Sequence, residues 1–227
     1  MTLRARALDA LGTVYDPELD EPITSLGFVS SCVVGAYDEV EVRLRLPTPQ
    51  CAPNFAYLMA ADARSAVRRL PEAGEVTVVL EDHYTGEEIN AAVGRDAGFD
   101  GAFPGETDGD LDALRDRFQR KALLARQARI CLTLIGDGAS HEEVAALRVA
   151  DLPDSPEVRR SVALRAALGL PHGPDAPALV ADDGAAIGAD ALPLWLRRAR
   201  LVSLSLETNG GMCRDLLRVR YGKEAAR

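Results

Sequence analysis

The period of the hydrophobic pattern changes twice between residues 40 and 80, and few folds accommodate that. Val40, Val42, Leu44 and Leu46 alternate with Glu41, Arg43 and Arg45, the two-residue repeat of a half-buried strand. After PTPQCAP, residues 54–70 place Phe55, Leu58, Met59, Ala63, Ala66, Val67 and Leu70 at helical steps, an amphipathic stripe that Pro71 ends. Residues 76–80, VTVVL, return to a short β-branched strand. Residues 28–34 read as a further strand, joined to residues 40–46 by a turn through residues 35–39, so the two form a hairpin. Ahead of them, Leu3, Ala7, Leu8 and Leu11 mark a short amphipathic helix that stops at Gly12. Helix, strand, strand, helix, strand predicts a small α+β domain with helices covering one face of a sheet.

A chain of 227 residues has room for a second domain. Residues 94–109, GRDAGFDGAFPGETDG, hold five glycines and a proline and predict a linker or mobile loop between residues 1–93 and residues 110–227. Beyond it, Asp110 can cap a helix reaching about residue 135, and Ser140 with Glu143 makes a capping-box pattern for another. Ser155 and Pro156 start a third, which ends before Gly169. ALVADDGAAIG suggests a small hairpin with a type I′ turn at Asp183 and Gly184. Asp190 caps a helix through Trp195 to Arg198, residues 201–206 read as a strand, and residues 212–219 as a last helix. The second domain is therefore predicted to be mainly helical.

Charge and cysteine usage exclude several classes. Residues 1–100 carry 8 Lys and Arg against 17 Asp and Glu, whereas residues 101–227 carry 18 of each, so all the net charge of −9 is N-terminal. An acidic half repels phosphate backbones, which argues against nucleic-acid binding through it, and attracts cations or a basic partner surface. The four cysteines (32, 51, 131, 213) and three histidines (83, 141, 172) are scattered, without the clusters of a disulfide framework or a closed zinc site. No apolar run approaches the ~20 residues of a membrane helix, and residues 1–10 lack a secretory h-region, so the expectation is a cytoplasmic protein without membrane contact. No Walker loop, GxGxxG, HExxH or Ser-His-Asp pattern appears.

Two segments carry chemistry. In PTPQCAPN (residues 47–54), Cys51 lies just before the strong helix with Pro53 in its first turn, so the thiol faces unpaired N–H groups and the positive end of the dipole. Such a position lowers a thiol pKa and favours the thiolate, the form that ligates metal and attacks electrophiles. The other reading of Cys51 is an inert, buried small hydrophobe. The second segment is YDPELDEP, where Pro17 and Pro22 stiffen a loop bearing Asp16, Glu18, Asp20 and Glu21. Oxygen ligands of that kind suit iron, manganese or magnesium; a solvated turn is the alternative.

DPELDEPITSLGFV, followed by VEVRLRLPTPQCAP, a helix and VTVVLEDHYTGEEI, resembles the SufT/PaaD-type metal–sulfur cluster assembly domain over about residues 3–90. Asp16, Glu18, Thr48 and Cys51 match that family's positions, and the resemblance implies a transiently bound iron ion or iron–sulfur cluster. Ala52, Pro53 and Asn54 stand where the family has small residues, and EDHYTGEEI lacks the tryptophan-containing end common there. With its C-terminal domain ending in LETNGGMCRDLLRVRYG, the chain is also similar to the long accessory proteins of bacterial multicomponent di-iron monooxygenases. The implied role is maturation of a client metalloenzyme, with no enzymatic turnover. Chaperonin, cluster assembly machinery or a second copy of the chain are further candidate partners, the last because a homodimer would pair two Cys51 thiols. A metal-free scaffold or chaperone-like adaptor for an oxygenase, and a thiol-dependent enzyme, are the competing readings.

Other candidates rank lower. His83 follows Asp82 at the end of the third strand, near Glu87 and Glu88, and is either a ligand or a surface histidine. Cys213, after Asn209, Gly210 and Gly211, reads as another cysteine at a helix start, either a second ligand or packed. Cys32 and Cys131 fall in apolar stretches and are expected in the core. GASHEEVAALRVADL with ADALPLWLRRA is loosely similar to the catalytic domain of tyrosine recombinases. Ser140 and His141 stand where that family needs an arginine, and its later His-x-x-Arg element is absent, so DNA cleavage is not expected.

Overall fold

The computed structural model describes residues 1–106 and 111–222. It divides into two compact units, Met1–Ala113 with Asn209–Arg227, and Leu114–Thr208. The first unit has the predicted element order. Helix α1 (Leu3–Leu11) begins at Thr2, whose hydroxyl accepts from the Ala5 N–H. Strands β1 (Val29–Val34) and β2 (Val40–Arg45) form the antiparallel hairpin, and helix α2 (Pro53–Arg68) crosses over to β3 (Val76–Glu81), which pairs parallel with β2. A parallel neighbour needs such a crossover because the chain must return to the same end of the sheet. The sheet order is β1-β2-β3. Val40, Val42 and Leu44 face the core in register with Val76, Val78 and Leu80, and α1 and α2 supply Ala7, Leu11, Met59, Ala60, Ala63 and Val67 to the same cluster. The alternation and the helical stripe therefore bury against each other, as their periods require.

Two elements fill what reads in sequence as strand tail and linker. Helix α3 (Gly86–Gly94) buries Ile89, Ala92 and Val93, a three- and four-residue spacing, and a short α4 (Gly98–Ala102) follows inside the glycine-rich segment. Asn90 of α3 closes the free edge of β3: its Oδ1 accepts from Leu80 N (2.8 Å) and its Nδ2 donates to Leu80 O (3.1 Å). The rest of that segment, residues 107–110, with the expected cap Asp110, lies outside the described residues.

The second unit is helical, as expected. Helix α5 (Asp112–Gly136) runs into it; α6 (His141–Ala146) carries the predicted capping box, and α7 (Pro156–Ala167) starts at the Ser155 cap. The ADDG turn is a correction. Ala181 and Ala185 close a three-residue loop in which Gly184 (φ +86°) supplies the left-handed residue, with a single bridge at Val180 and Ala186 in place of a type I′ hairpin. The predicted strand at residues 201–206 is also corrected, since one helix, α8 (Leu192–Tyr221), runs through it. Its buried positions Leu192, Leu196, Ala199, Ser203, Leu206 and Gly210 step by four and three, and Leu217 follows two turns on, past the partly buried Cys213. The alternation of Val202, Leu204 and Leu206 is incidental, because Leu204 is exposed and Ser203 is buried. The last turns of α8 pack with the first unit, whereas the sequence groups them with the second. Among the described residues no helix is long and apolar enough to cross a membrane.

Candidate functional site

The end of β2 hands the chain to a turn that places Cys51 two residues ahead of α2, just before the cap residue Ala52. Leu46 and Pro47 are buried, and the turn closes when the Cys51 N–H donates to Thr48 O (3.4 Å). Thr48 Oγ1 lies 3.6 Å from Cys51 Sγ. The first helical residue is Pro53, as predicted, and the cap residue Ala52 has no side-chain acceptor for the helix's leading N–H groups. Cys51 is partly exposed, with one flank against the core. That placement answers the packed-hydrophobe alternative in part: the residue touches hydrocarbon and remains reachable.

His83 fixes this turn from the other side. Its Nε2 meets the Cys51 carbonyl at 2.7 Å, and its Nδ1 meets the Thr85 hydroxyl at 3.1 Å and the Thr85 N–H at 3.3 Å. A neutral ring donating from Nε2 and accepting at Nδ1 satisfies all three contacts. Tyr84 stacks on the ring, with centroids 5.1 Å apart, and its N–H donates to Pro49 O (3.1 Å). Both ring nitrogens are thus engaged by protein groups, so His83 holds the Cys51 backbone and does not present a free nitrogen beside the thiol.

The acidic loop folds on its own aspartate. Asp16 is buried, and its Oδ1 accepts from the Glu18 and Leu19 N–H groups, both at 2.8 Å. The Asp16 N–H donates to Glu21 O, and the Asp20 N–H to Asp16 O. Asp20 takes a left-handed conformation (φ 51°), which aspartate tolerates better than most residues. Leu19 and Ile23 anchor the loop in the core. Burial pushes the Asp16 carboxyl up to about 6, against the pull of its two backbone hydrogen bonds; the negative charges of Glu18 and Glu21 add to the rise. Asp16 is therefore the residue that shapes the loop, while Glu18 is only partly buried.

Cys213 needs a correction. It sits inside α8, two-thirds of the way along it, not at a helix start, and its thiol is pushed up to about 11 instead of down. Burial is the largest cause, followed by the negative charges of Asp16, Cys51 and Glu18, with Arg214 opposing. Cys51 and Cys213 thus pack against one core, and the negative charges of Asp16 and Glu18 both act to raise the Cys213 thiol. Sequence reasoning missed Arg214, which pairs with Glu21, and the contact of Tyr221 Oη with Asp82 Oδ2 (3.0 Å). Cys32 and Cys131 lie in the core, as expected, and burial raises both thiols, that of Cys131 to about 11. Among the described residues no group of three His, Cys, Asp or Glu side chains is arranged to hold a metal ion.

Residues 4–78, which contain both the acidic loop and the Cys51 turn, match the family described as iron–sulfur cluster assembly protein. An uncharacterized protein of Methanocaldococcus jannaschii is 31% identical over 90 residues, which make up 40% of this chain and 93% of that protein. No solved structure matches the chain.

Proposed function

The chain belongs, through its N-terminal residues, to the iron–sulfur cluster assembly protein family, and from that premise we propose a non-enzymatic accessory factor that holds iron or an iron–sulfur cluster at Cys51 and passes it to a client metalloenzyme. The observation that carries this reading is the partly exposed thiol just ahead of α2, packed against the same core that anchors the acidic loop through Leu19 and Ile23. Thiolate sulfur is a soft ligand and carboxylate oxygen a hard one, a mixture that accepts iron. A cargo held by few protein ligands keeps open positions, through which a client's ligands can take it over one at a time. His83 and Thr48 would set the direction of the thiol, and Asp16 the loop that presents Glu18.

Client recognition falls, in this reading, to the helical second unit. Arg129, Arg197, Arg200, Glu207, Leu196, Leu201 and Leu204 line a groove of about 560 Å³ there; Arg129 is paired with Glu207 and Glu157, and the two further arginines suit an acidic segment with apolar anchors. A multicomponent di-iron monooxygenase is the client class we favour, from the resemblance of the whole chain to accessory proteins of such enzymes. The work takes place in the cytoplasm.

Anaerobic reconstitution with Fe(II) and sulfide tests the cargo. The wild-type protein is expected to gain stoichiometric iron and a visible sulfur-to-iron absorption band, and Cys51→Ser to lose both. Wild-type protein that emerges without stoichiometric iron would point to the metal-free scaffold instead. A band that survives in Cys51→Ser would remove Cys51 from the site.

A further inference from the structure

The last turn of α8, which belongs to the first unit, is fastened to the two strand ends from which the Cys51 turn hangs. Strands β2 and β3 pair in parallel as far as Arg45 and Glu81, so Leu46 and Asp82, the next residue of each, leave the same end of the sheet side by side. One guanidinium spans both: Arg220 donates through Nη1 to Leu46 O (3.4 Å) and through Nη2 to Asp82 O (3.1 Å). Tyr221 donates from its hydroxyl to Asp82 Oδ2 (3.0 Å), and the guanidinium groups of Arg45 and Arg220 lie 4.6 and 4.9 Å from its ring centre. Burial, with the bond to Asp82 adding to it, pushes the Tyr221 phenol up to about 12, so the hydroxyl remains a donor at neutral pH. Asp82 is held at φ 51°, a left-handed conformation that side-chain-bearing residues rarely adopt. The next residue is His83, whose Nε2 meets the Cys51 carbonyl at 2.7 Å, and after it the Tyr84 N–H donates to Pro49 O (3.1 Å). From the other strand, Leu46 leads through the turn to Cys51. Both routes to Cys51 therefore start at a carbonyl that Arg220 grips.

We propose that the end of α8 is a clamp on the Cys51 turn: Arg220 and Tyr221 hold Asp82, and Asp82 is a positioning residue that sets where His83 keeps the Cys51 backbone. Without these partners Asp82 relaxes towards the commoner backbone regions, which turns the peptide that follows and moves His83 off the Cys51 carbonyl. The turn is then held from the β2 side alone. The consequence for the cargo rests on the reading of Cys51 as a ligand and deepens it: a loosened turn gives up bound iron sooner.

Native-state hydrogen exchange on the full-length protein reads the clamp at the Cys51 and Tyr84 N–H groups, with Val42 and Val78 of the sheet as controls. Tyr221→Phe removes one hydroxyl and keeps the ring. Asp82→Ala removes the acceptor and disfavours the left-handed backbone, whereas Asp82→Asn keeps an acceptor and tolerates that backbone. Exchange at Cys51 and Tyr84 is expected to quicken about three- to tenfold in Tyr221→Phe and Asp82→Ala, the worth of one ordinary hydrogen bond, with Val42 and Val78 unchanged and Asp82→Asn close to the wild type. The nitrogen-15 shifts of the His83 ring supply a signature that a merely stabilising contact does not move: one Nε2–H tautomer in the wild type and a mixture in the two loosened variants. Wild-type exchange and a single tautomer in folded Tyr221→Phe and Asp82→Ala overturn the clamp, and so does a quickening of equal size at Val42 and Val78. After anaerobic loading, release of iron to a chelator is expected to quicken by a similar factor; equal release from wild type and Asp82→Ala overturns the consequence for the cargo. Wild-type protein that takes up no iron overturns the reading of Cys51 as a ligand, while the exchange rates still decide the clamp.

Discussion

Asp16 has two tasks that pull against each other. Its carboxylate organises the acidic loop by accepting two backbone N–H groups, yet burial makes its ionised form costly. An acid whose folded pKa lies above its unfolded value binds more protons when folded across the intervening pH range. Stability is therefore highest below about pH 4 for this group and falls as pH rises through about 6, by about 3 kcal/mol if the whole shift is expressed. Asp16→Asn keeps the accepting oxygen and removes the charge. Denaturant titrations at pH 4.5 and 7.5 are expected to show a smaller loss of stability with rising pH in Asp16→Asn than in the wild type. Identical pH slopes in the two proteins would mean that Asp16 is effectively solvated. The loop's position in the sequence was legible at once, because two prolines and four acids in a short stretch suit a stiff, charged turn. That Asp16 is buried and Glu18 only partly so was not, since both carry the same chemistry and only the anchoring of Leu19 and Ile23 orients the loop.

At the scale of elements, α8 departs furthest from the sequence reading and α2 least. For α2, period, proline start and proline stop agree, so local and tertiary preferences coincide. For α8, the pair Gly210 and Gly211 reads as a break, because glycine costs a helix interior about 1 kcal/mol relative to alanine. The helix continues because its inward face is buried along nearly its whole length, and Gly210 is where the Glu21 carboxylate comes closest. The four-and-three spacing of its buried residues is present in the sequence, and a search restricted to strand alternation overlooks it. Packing of the last turns has a measurable consequence. Leu217→Ala should destabilise the first unit by about 2–4 kcal/mol through lost burial and a residual cavity. Val219→Ala, two residues on at 85% exposure, should cost under about 0.5 kcal/mol. Thermal melts of the two variants check this, and equal shifts would show that the helix end is not seated as described. Helix α3 was missed for a simpler reason: its first residues, Gly86, Glu87 and Glu88, extend the polar end of β3, and its apolar stripe spans barely two turns.

On the scale of the whole molecule, the two units use different means to become specific. The first relies on an apolar core with polar groups at its edge. The second buries Arg165 at 1% exposure: it donates to Gln127 Oε1 (2.8 Å), Pro177 O (2.7 Å) and Ala178 O, while Gln127 also pairs with the Val180 N–H (2.7 Å) and carbonyl (3.1 Å). Burial lowers the Arg165 pKa to about 10, which leaves it charged at neutral pH. Arg165→Met strips these acceptors of their donor, at a cost of about 2–4 kcal/mol. Native-state hydrogen exchange is expected to show the loss at Ala178 and Val180, with Val42 and Val78 unaffected, because the two units are separately compact. Equal losses in both units would show a single cooperative structure.

The sequence by itself determined the α+β class, the order of the first five elements, the mainly helical second part, the stiff acidic loop and the place of Cys51 just ahead of α2. All of these follow from periodicity, caps and prolines, which act between residues a few positions apart. Only the tertiary structure decided that α8 is one helix, that its end packs with the first unit, and that Cys213 and Cys51 pack against one core. Those depend on which buried surfaces meet, and residues some 160 positions apart carry no local mark of the neighbour they will acquire.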